Sequence, residues 1–489
     1  MPRPAVTDVT VVGSGPNGLA AAVTMARAGL SVRVLEAAPT AGGGSRTSEL
    51  MRPGYRHDVC SAVHPMGLAA PFFRDFGLAD RIRMEVPEAS YAQPLDGGQA
   101  AVAYRSLERT IQDLGPDGNA YKRLMGPLVR HSEAITRTLM DPLLKVPREP
   151  RSALRFGLAA LDQGTAAWNR RFSGEAAPAL LTGVMAHPVG QLPSLPSAGG
   201  GLLLALLAHT VGWPVPVGGS QAIADAMVED LLAHGGELET GVRVDSLAEV
   251  SGSRAVILDT APAGLLRMAG GRLPARYEKT LRQFRYGNAA CKVDFILSGP
   301  VPWKNPAVAA AGTVHLGGTR TETAAAEAEV AAGRHPGEPY VLLSQPSSFD
   351  STRAPAGHHI LWTYCHVPAG SNRDMAGEIT AQIERFAPGF REVVLETRTT
   401  TAQGLAAYNE NYVGGDFGAG AVTLGQMLRR PVLSPSPWQT PLPGVYLCSA
   451  STPPGPGVHG MGGYHAARLA LKDVFGLQVP ALGPAAESP

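Results

Sequence analysis

Six residues near the start of the chain, Gly13 to Gly18, read GSGPNG. Their glycines stand at 13, 15 and 18, the GxGxxG spacing. A short apolar run, Asp8 to Val12 (DVTVV), precedes them, and LAAAVTMARAG follows with the composition of a helix closed by Gly29. The next run, SVRVLE, ends in Glu36. Strand, glycine turn, helix, strand and acid in this order suit the binding of a nucleotide diphosphate. Gly13 permits the tight turn, Gly15 lets the backbone approach a pyrophosphate, and Gly18 lets the helix pack close to the strand. The helix N-terminus turns free N–H groups and a positive dipole end to the anion. Glu36, about 20 residues past the loop, can accept both ribose hydroxyls of an adenosine.

NAD and FAD both use such a unit. A second glycine-rich turn, APTAGGGSRTSE, follows the acid at once and places Gly42, Gly43 and Gly44 before Arg46. Its glycines let the chain fold back over the pyrophosphate, with Arg46 toward the flavin end, which favours FAD. Near the other terminus a strand-like run, VYLCSAST, breaks into PPGPGVHGMGG and resumes as an Ala-rich stretch. Small residues there let the backbone approach a flavin ring, and Pro453, Pro454 and Pro456 fix the turn. A helix from about Gly462 would aim its positive end at the flavin edge. No second GxGxxG both follows a strand and opens a helix, so the chain has no separate NAD(P)H domain of that kind.

If a flavin carries the hydride, the protein needs only position, proton handling and exclusion of water. Four residues are candidates for the proton: His64, Tyr364, His366 and His459. Tyr364 and His366 lie at i and i+2, on one face of a strand. Each has a plainer reading as a satisfied structural side chain. His358 and His359 read as surface loop, Cys448 as a buried strand cysteine, and Asp416 as a turn or cap residue.

Bulk composition narrows the classes. The chain has 489 residues, with 44% hydrophobic and 17% charged content. That is enough for two or three domains. Lys+Arg is 42 against Asp+Glu 41, so the basic footprint of a nucleic-acid binder is missing. Cys60, Cys291, Cys365 and Cys448 lack metal-site or redox-pair spacing, which points to a reducing, cytoplasmic setting and no metal. The N-terminus, MPRPAV, has no leader-like apolar region. The longest apolar run, Gly199 to Val211, is too short to span a bilayer. It reads as a buried helix, with a greasy substrate wall or a shallow peripheral membrane contact as alternatives.

The elements that must position these residues follow from periodicity. Ser106 to Met140 reads as two helices with Ser106 and Asp117 as N-caps. Pro53 to Met66 reads as a strand leading into a turn. A helix capped by Ser220 runs to Gly235 and Gly236, and ELETGVRVDSL follows as an alternating strand with Val242, Val244 and Leu247 on one side. CKVDFILSG, TVHLGGT, YVLLSQPS and HHILWTYCHVP suggest a separate antiparallel sheet. The nucleotide-binding domain is therefore expected to be discontinuous, over 1–70, 215–265 and 440–475. A substrate domain over 71–214 and 266–439 is inserted between its pieces.

Together these pieces resemble the FAD-dependent oxidoreductases of the phytoene desaturase-like superfamily. The subgroup of closest resemblance is the pyridine nucleotide-disulfide oxidoreductase domain-containing protein 2-like one. The resemblance covers nearly the whole chain. It rests on VVGSGPNGLAAA, LEAAPTAGGGSRT, GPVPWKNPAVAAAGTVHLGG, HILWTYCHVPAG, IERFAPGF, NYVGGD and CSASTPPGPGVHGMGGYHAA. It implies an α/β fold: a glutathione-reductase-type, Rossmann-like FAD-binding domain with an inserted amine-oxidase-like α+β substrate domain. Carried over, Gly13, Gly15, Pro16, Asn17 and Gly18 hold the pyrophosphate, and Glu36 with Ala37 the adenosine ribose. Gly43, Gly44 and Arg46 line the pyrophosphate-to-flavin side, and Val244 meets adenine through its backbone. Ala450 and Ser451 stand at the ribityl chain. Gly457, Val458, His459, Gly460 and Met461 stand at the flavin pyrimidine edge. Ser451 departs from the amine-oxidase type, which often has an acid there. The expected activity is dehydrogenation, desaturation or oxidation of a hydrophobic small molecule. A saturase or isomerase on reduced flavin is a close variant, and a non-redox escort protein of the same fold is the alternative class.

Overall fold

The computed structural model describes residues 7–142 and 144–483. Residues 1–6, read above as free of a leader, lie outside them. The first of two main sheets is five-stranded and parallel. Its order is Val445–Leu447, Ala255–Leu258, Val9–Val12, Val32–Glu36 and Glu237–Thr240. Val9–Val12 and Ala255–Leu258 are buried at every position, which is why both read as unbroken apolar runs. Parallel strands need crossovers, and helix Pro16–Arg27 supplies the first, between Val9–Val12 and Val32–Glu36.

Helix Met461–Ala470 packs against helix Pro16–Arg27, so the C-terminal end of the chain completes the layer begun at Val9. The approach is close. A Cβ on Gly463 would stand 1.7 Å from the carbonyl oxygen of Asn17, and backbone cannot yield as a side-chain tip does. Gly463→Ala is expected to cost about 3 kcal/mol of stability. A lower urea midpoint at unchanged slope would report it; a midpoint like that of the wild type would mean the two helices are not in this contact.

The second sheet has seven strands. Its order is Val394–Thr400, Ala289–Leu297, His359–Val367, Val341–Ser344, Ala311–Leu316, Ala89–Pro94 and Ala100–Tyr104. All neighbours are antiparallel except Ala311–Leu316 with Ala89–Pro94. Alternation splits the faces. Cys291, Val293, Phe295, Leu361 and Cys365 join a core with Ile379, Ile383 and Phe386 of helix Ala376–Phe386. Ala290, Leu342, Trp362 and Tyr364 join another, on the opposite face.

Several local expectations change. Ser106 to Met140 forms three helices, Leu107–Asp113, Gly118–Arg130 and Ser132–Leu139. Ser106 accepts from the Arg109 N–H as a cap should. Asp117 does not cap; its carboxylate accepts from the Ser173 and Gly174 N–H groups. Ser220 precedes helix Gln221–Ala233, but its hydroxyl donates to the Ser61 carbonyl instead of capping. The strand expected from Glu237 to Leu247 stops at Thr240, because Gly241 turns left-handed at φ +74. Val244 and Leu247 still point inward, beside Leu265 and Met268. Between Pro53 and Met66 only His57–Asp58 is strand. The run Gly199 to Val211 lies largely in helix Leu195–Ala208, with Leu202, Ala205 and Leu206 buried. Among the described residues no helix is long and apolar enough to cross a membrane.

Candidate active site

One cavity of about 1310 Å³ lies between the two sheets and their helices. Val12, Gly13, Gly15, Pro16, Asn17, Glu36 and Ala37 line it from the first sheet, as do Gly43, Gly44 and Arg46. Gly43 has φ +53, and a Cβ on it would lie 2.9 Å from the Cα of Gly15. The two glycine turns therefore meet backbone to backbone, and the Gly42 N–H donates to the Ser14 carbonyl. Gly18 does not line the cavity; it packs beneath the loop and donates its N–H to Asp259.

Glu36 ends its strand as a shared acceptor. One carboxylate oxygen takes the N–H and hydroxyl of Ser14, and the other takes the Ala38 N–H. Arg46 completes the set with an ion pair at 3.0 Å. Both side chains are nearly buried, and two buried opposite charges lower their cost by pairing. Val244 lines the cavity, and its carbonyl accepts from Arg267.

The C-terminal turn supplies another wall. Ser449, Ala450, Pro453, Pro454, Pro456, Gly457, Val458 and His459 all line the cavity. Three expected contacts do not. Ser451 turns its hydroxyl to the Ala419 carbonyl. Gly460 and Met461 pack on Phe72, whose N–H points at the Met461 sulfur. The helix also starts at Met461 and not Gly462, and its first two N–H groups are satisfied internally. Met461 donates to His459 and Gly462 donates to Asn17. That end of the helix is therefore spoken for by the chain itself.

The four candidate proton handlers separate clearly. His459 accepts from the Met461 N–H through Nδ1 and bonds the Gly455 carbonyl through Nε2, so it staples the turn. Burial lowers it to about 4. His64 lines the cavity, is held 2.6 Å from the Ser220 hydroxyl, and is lowered by burial to about 4. His366 is buried behind Tyr364, outside the cavity lining, with Nδ1 2.7 Å from Glu327. Tyr364 lines the cavity, and its hydroxyl makes no hydrogen bond among the described residues. Burial, with Cys60 and Glu327 nearby, pushes that hydroxyl well up, so it is a donor and not a base. Tyr364 thus offers an unspent hydroxyl to the cavity.

Residues 11–76 match the NAD(P)-binding Rossmann-like domain family. The chain carries a Rossmann-like domain. Over nearly its whole length the chain is similar to pyridine nucleotide-disulfide oxidoreductase domain-containing protein 2 of Rattus norvegicus. Identity is 25%, covering 96% of this chain and 94% of the rat protein. Among solved structures it is similar to a double mutant of putrescine oxidase, with TM-score 0.60, 16% identity and coverage of 96% and 99%. It is also similar to cyclohexylamine oxidase from Brevibacterium oxydans IH-35A, with TM-score 0.56, 14% identity and coverage of 96% and 98%. Its fold is thus the mixed α/β fold of amine oxidase-type enzymes, a Rossmann-like layer joined to a second sheet.

Within the Rossmann-like domain, the residue that sequence reading passed over is Asp259. It ends strand Ala255–Leu258, lines the cavity, and accepts the Gly18 N–H at 3.0 Å. Burial raises its pKa to about 7, the Gly18 and Gly15 N–H groups oppose the rise, and the charge of Glu36 adds to it. An acid just past a central parallel strand, beside a glycine loop, was the available signal. Arg430 also lines the cavity, donates to the Ala450 carbonyl, and is lowered by burial to about 10. Lys292 stands across the ladder from Tyr364 and pairs with Asp294, beside His57, all buried. A lysine and an aspartate alternating inside an apolar strand, CKVDFIL, mark that pair.

Proposed function

We propose that this chain is an FAD-dependent oxidoreductase acting on a lipophilic small molecule. The observation that carries the reading is one continuous cavity among the described residues. It joins the glycine turns to Trp362, Tyr364 and Phe417 and to Leu195, Leu203 and Leu204. Its volume exceeds the ~300–1,000 Å³ of an ordinary small-ligand pocket, which leaves room for a dinucleotide and a second molecule. The residues suit FAD: two glycine turns for the pyrophosphate, Glu36 for the ribose, and the Ser449–His459 wall for the ring. We assign residues 1–70, 215–265 and 440–475 to the FAD domain, and 71–214 with 266–439 to the substrate domain.

When bound, FAD supplies a ring that accepts or returns a hydride. The chain's own residues do the rest. The glycine turns and the helix Pro16–Arg27 hold the diphosphate. Trp362, Tyr364 and Phe417 pack edge to face and form an aromatic wall that excludes water. The Tyr364 hydroxyl donates to a polar atom of the substrate. His64 and His459, both neutral at pH 7, add no charge to the chamber.

The substrate class is tested by anaerobic mixing. Lipophilic amines and alkenes are expected to bleach the yellow absorbance, while a short diamine such as putrescine leaves it unchanged. Bleaching by hydrophilic compounds alone would overturn the substrate class.

A further inference from the structure

Helix Pro150–Gln163 carries Leu154, Leu158 and Leu161 at i, i+4 and i+7, which is one face of a helix. That face is bare. The three leucines are 64%, 57% and 49% exposed, and Leu424 of helix Leu424–Leu428 is 51% exposed. The opposite face buries Phe156 and Ala159. All four exposed leucines also line the cavity. Residues that both line a cavity and stand exposed mark its mouth.

From 141 to 162 the chain has Lys145, Arg148, Arg151 and Arg155 against Asp141, Glu149 and Asp162, and Asp162 is paired with Arg171. Lys145 is paired with Asp141. Among the described residues Arg148, Arg151 and Arg155 make no ion pair, and Arg155 stands 2.6 Å from His131 Nε2. Leucines on one stripe with arginines beside them fit a surface that is apolar inside and anionic outside.

We propose that helix Pro150–Gln163 docks the cavity mouth on an anionic lipid bilayer. Leu154, Leu158, Leu161 and Leu424 enter the acyl boundary, and Arg148, Arg151 and Arg155 meet the headgroups. A lipophilic substrate then passes from the bilayer into the cavity without crossing water. The route rests on the lipophilic-substrate reading. The docking does not, because vesicle binding is measured without substrate or turnover.

The test is co-sedimentation of the whole protein with phosphatidylcholine vesicles, with and without 30% phosphatidylglycerol on the order used for anionic surfaces. Binding to the anionic vesicles is expected, and to weaken at least tenfold between low and high salt. Leu154→Glu with Leu158→Glu is expected to lower it at least tenfold while the melting curve stays as in the wild type, since both side chains are mostly in solvent. Arg151→Glu with Arg155→Glu is expected to remove the preference for anionic vesicles. No sedimentation with anionic vesicles would overturn the proposal, as would unchanged binding by both variants. A dimer in light scattering that the leucine variant splits would also overturn it, since the face would then belong to a second copy.

Discussion

Gly15→Val is expected to give a folded protein that retains no dinucleotide. Gly15 has φ −66 and ψ 171, which any residue adopts, so the backbone carries no strain from the change. A Cβ there would stand 2.5 Å from a carboxylate oxygen of Asp259, the tip of a side chain that can turn aside. The two methyls of valine would then fill the space a pyrophosphate needs at the loop. Loss of FAD affinity of at least about 100-fold, or ~2.7 kcal/mol, is the expected outcome. It is read from the flavin content of purified protein and from titration. Gly18→Val is the informative contrast. Its Cβ would meet the Gly13 carbonyl oxygen at 2.2 Å, so that variant is expected to lose fold and cofactor together. A Gly15→Val protein with full FAD occupancy would mean that this loop is not the diphosphate site.

Asp259→Asn is expected to abolish a pH dependence. The carboxyl of Asp259 sits near 7 in the folded protein, against an ordinary value of 3.8. Burial is the main cause. Between those two values the folded state holds a proton that the unfolded state has released. Stability contributed by this group is therefore full below about pH 4 and falls as pH rises to about 7. Asparagine keeps the shape without the charge and can still accept the Gly18 N–H. The variant is expected to be more stable than wild type at pH 8, by on the order of 4 kcal/mol, and equal to it near pH 4. The same charge lies where a diphosphate would bind. FAD affinity of the wild type is therefore expected to fall from pH 6 to pH 8, by at most tenfold per unit above the pKa. That of the variant is expected to stay level. Parallel pH profiles for both proteins would remove Asp259 from the anion site.

The two strand–turn–helix units, from Val9 to Arg27 and from Val445 to Ala470, were legible because their spacing is local. What could not be read depends on contacts across the chain. The bond from Asp259 to Gly18 spans 241 residues, and no periodicity encodes it. Arg46 and Glu36 are ten residues apart, yet their pairing follows from the burial of both, which only the packed turns create. Tyr364 and His366 share a strand face as alternation requires. Only the neighbouring helix Arg320–Ala331, with Glu327, decides that His366 is covered while Tyr364 reaches the cavity. Val244 points inward as expected, although Gly241 ends the strand before it. Local patterns placed the residues; the long-range packing decided which side chains remain free to act.

FAD in this Rossmann-like domain is tested by denaturing protein purified from its expressing cells and identifying the released nucleotide by chromatography and mass. FAD at one per chain, with a yellow protein before denaturation, is expected. NAD(P) in its place, or colourless protein that takes up no added FAD, would overturn the FAD reading.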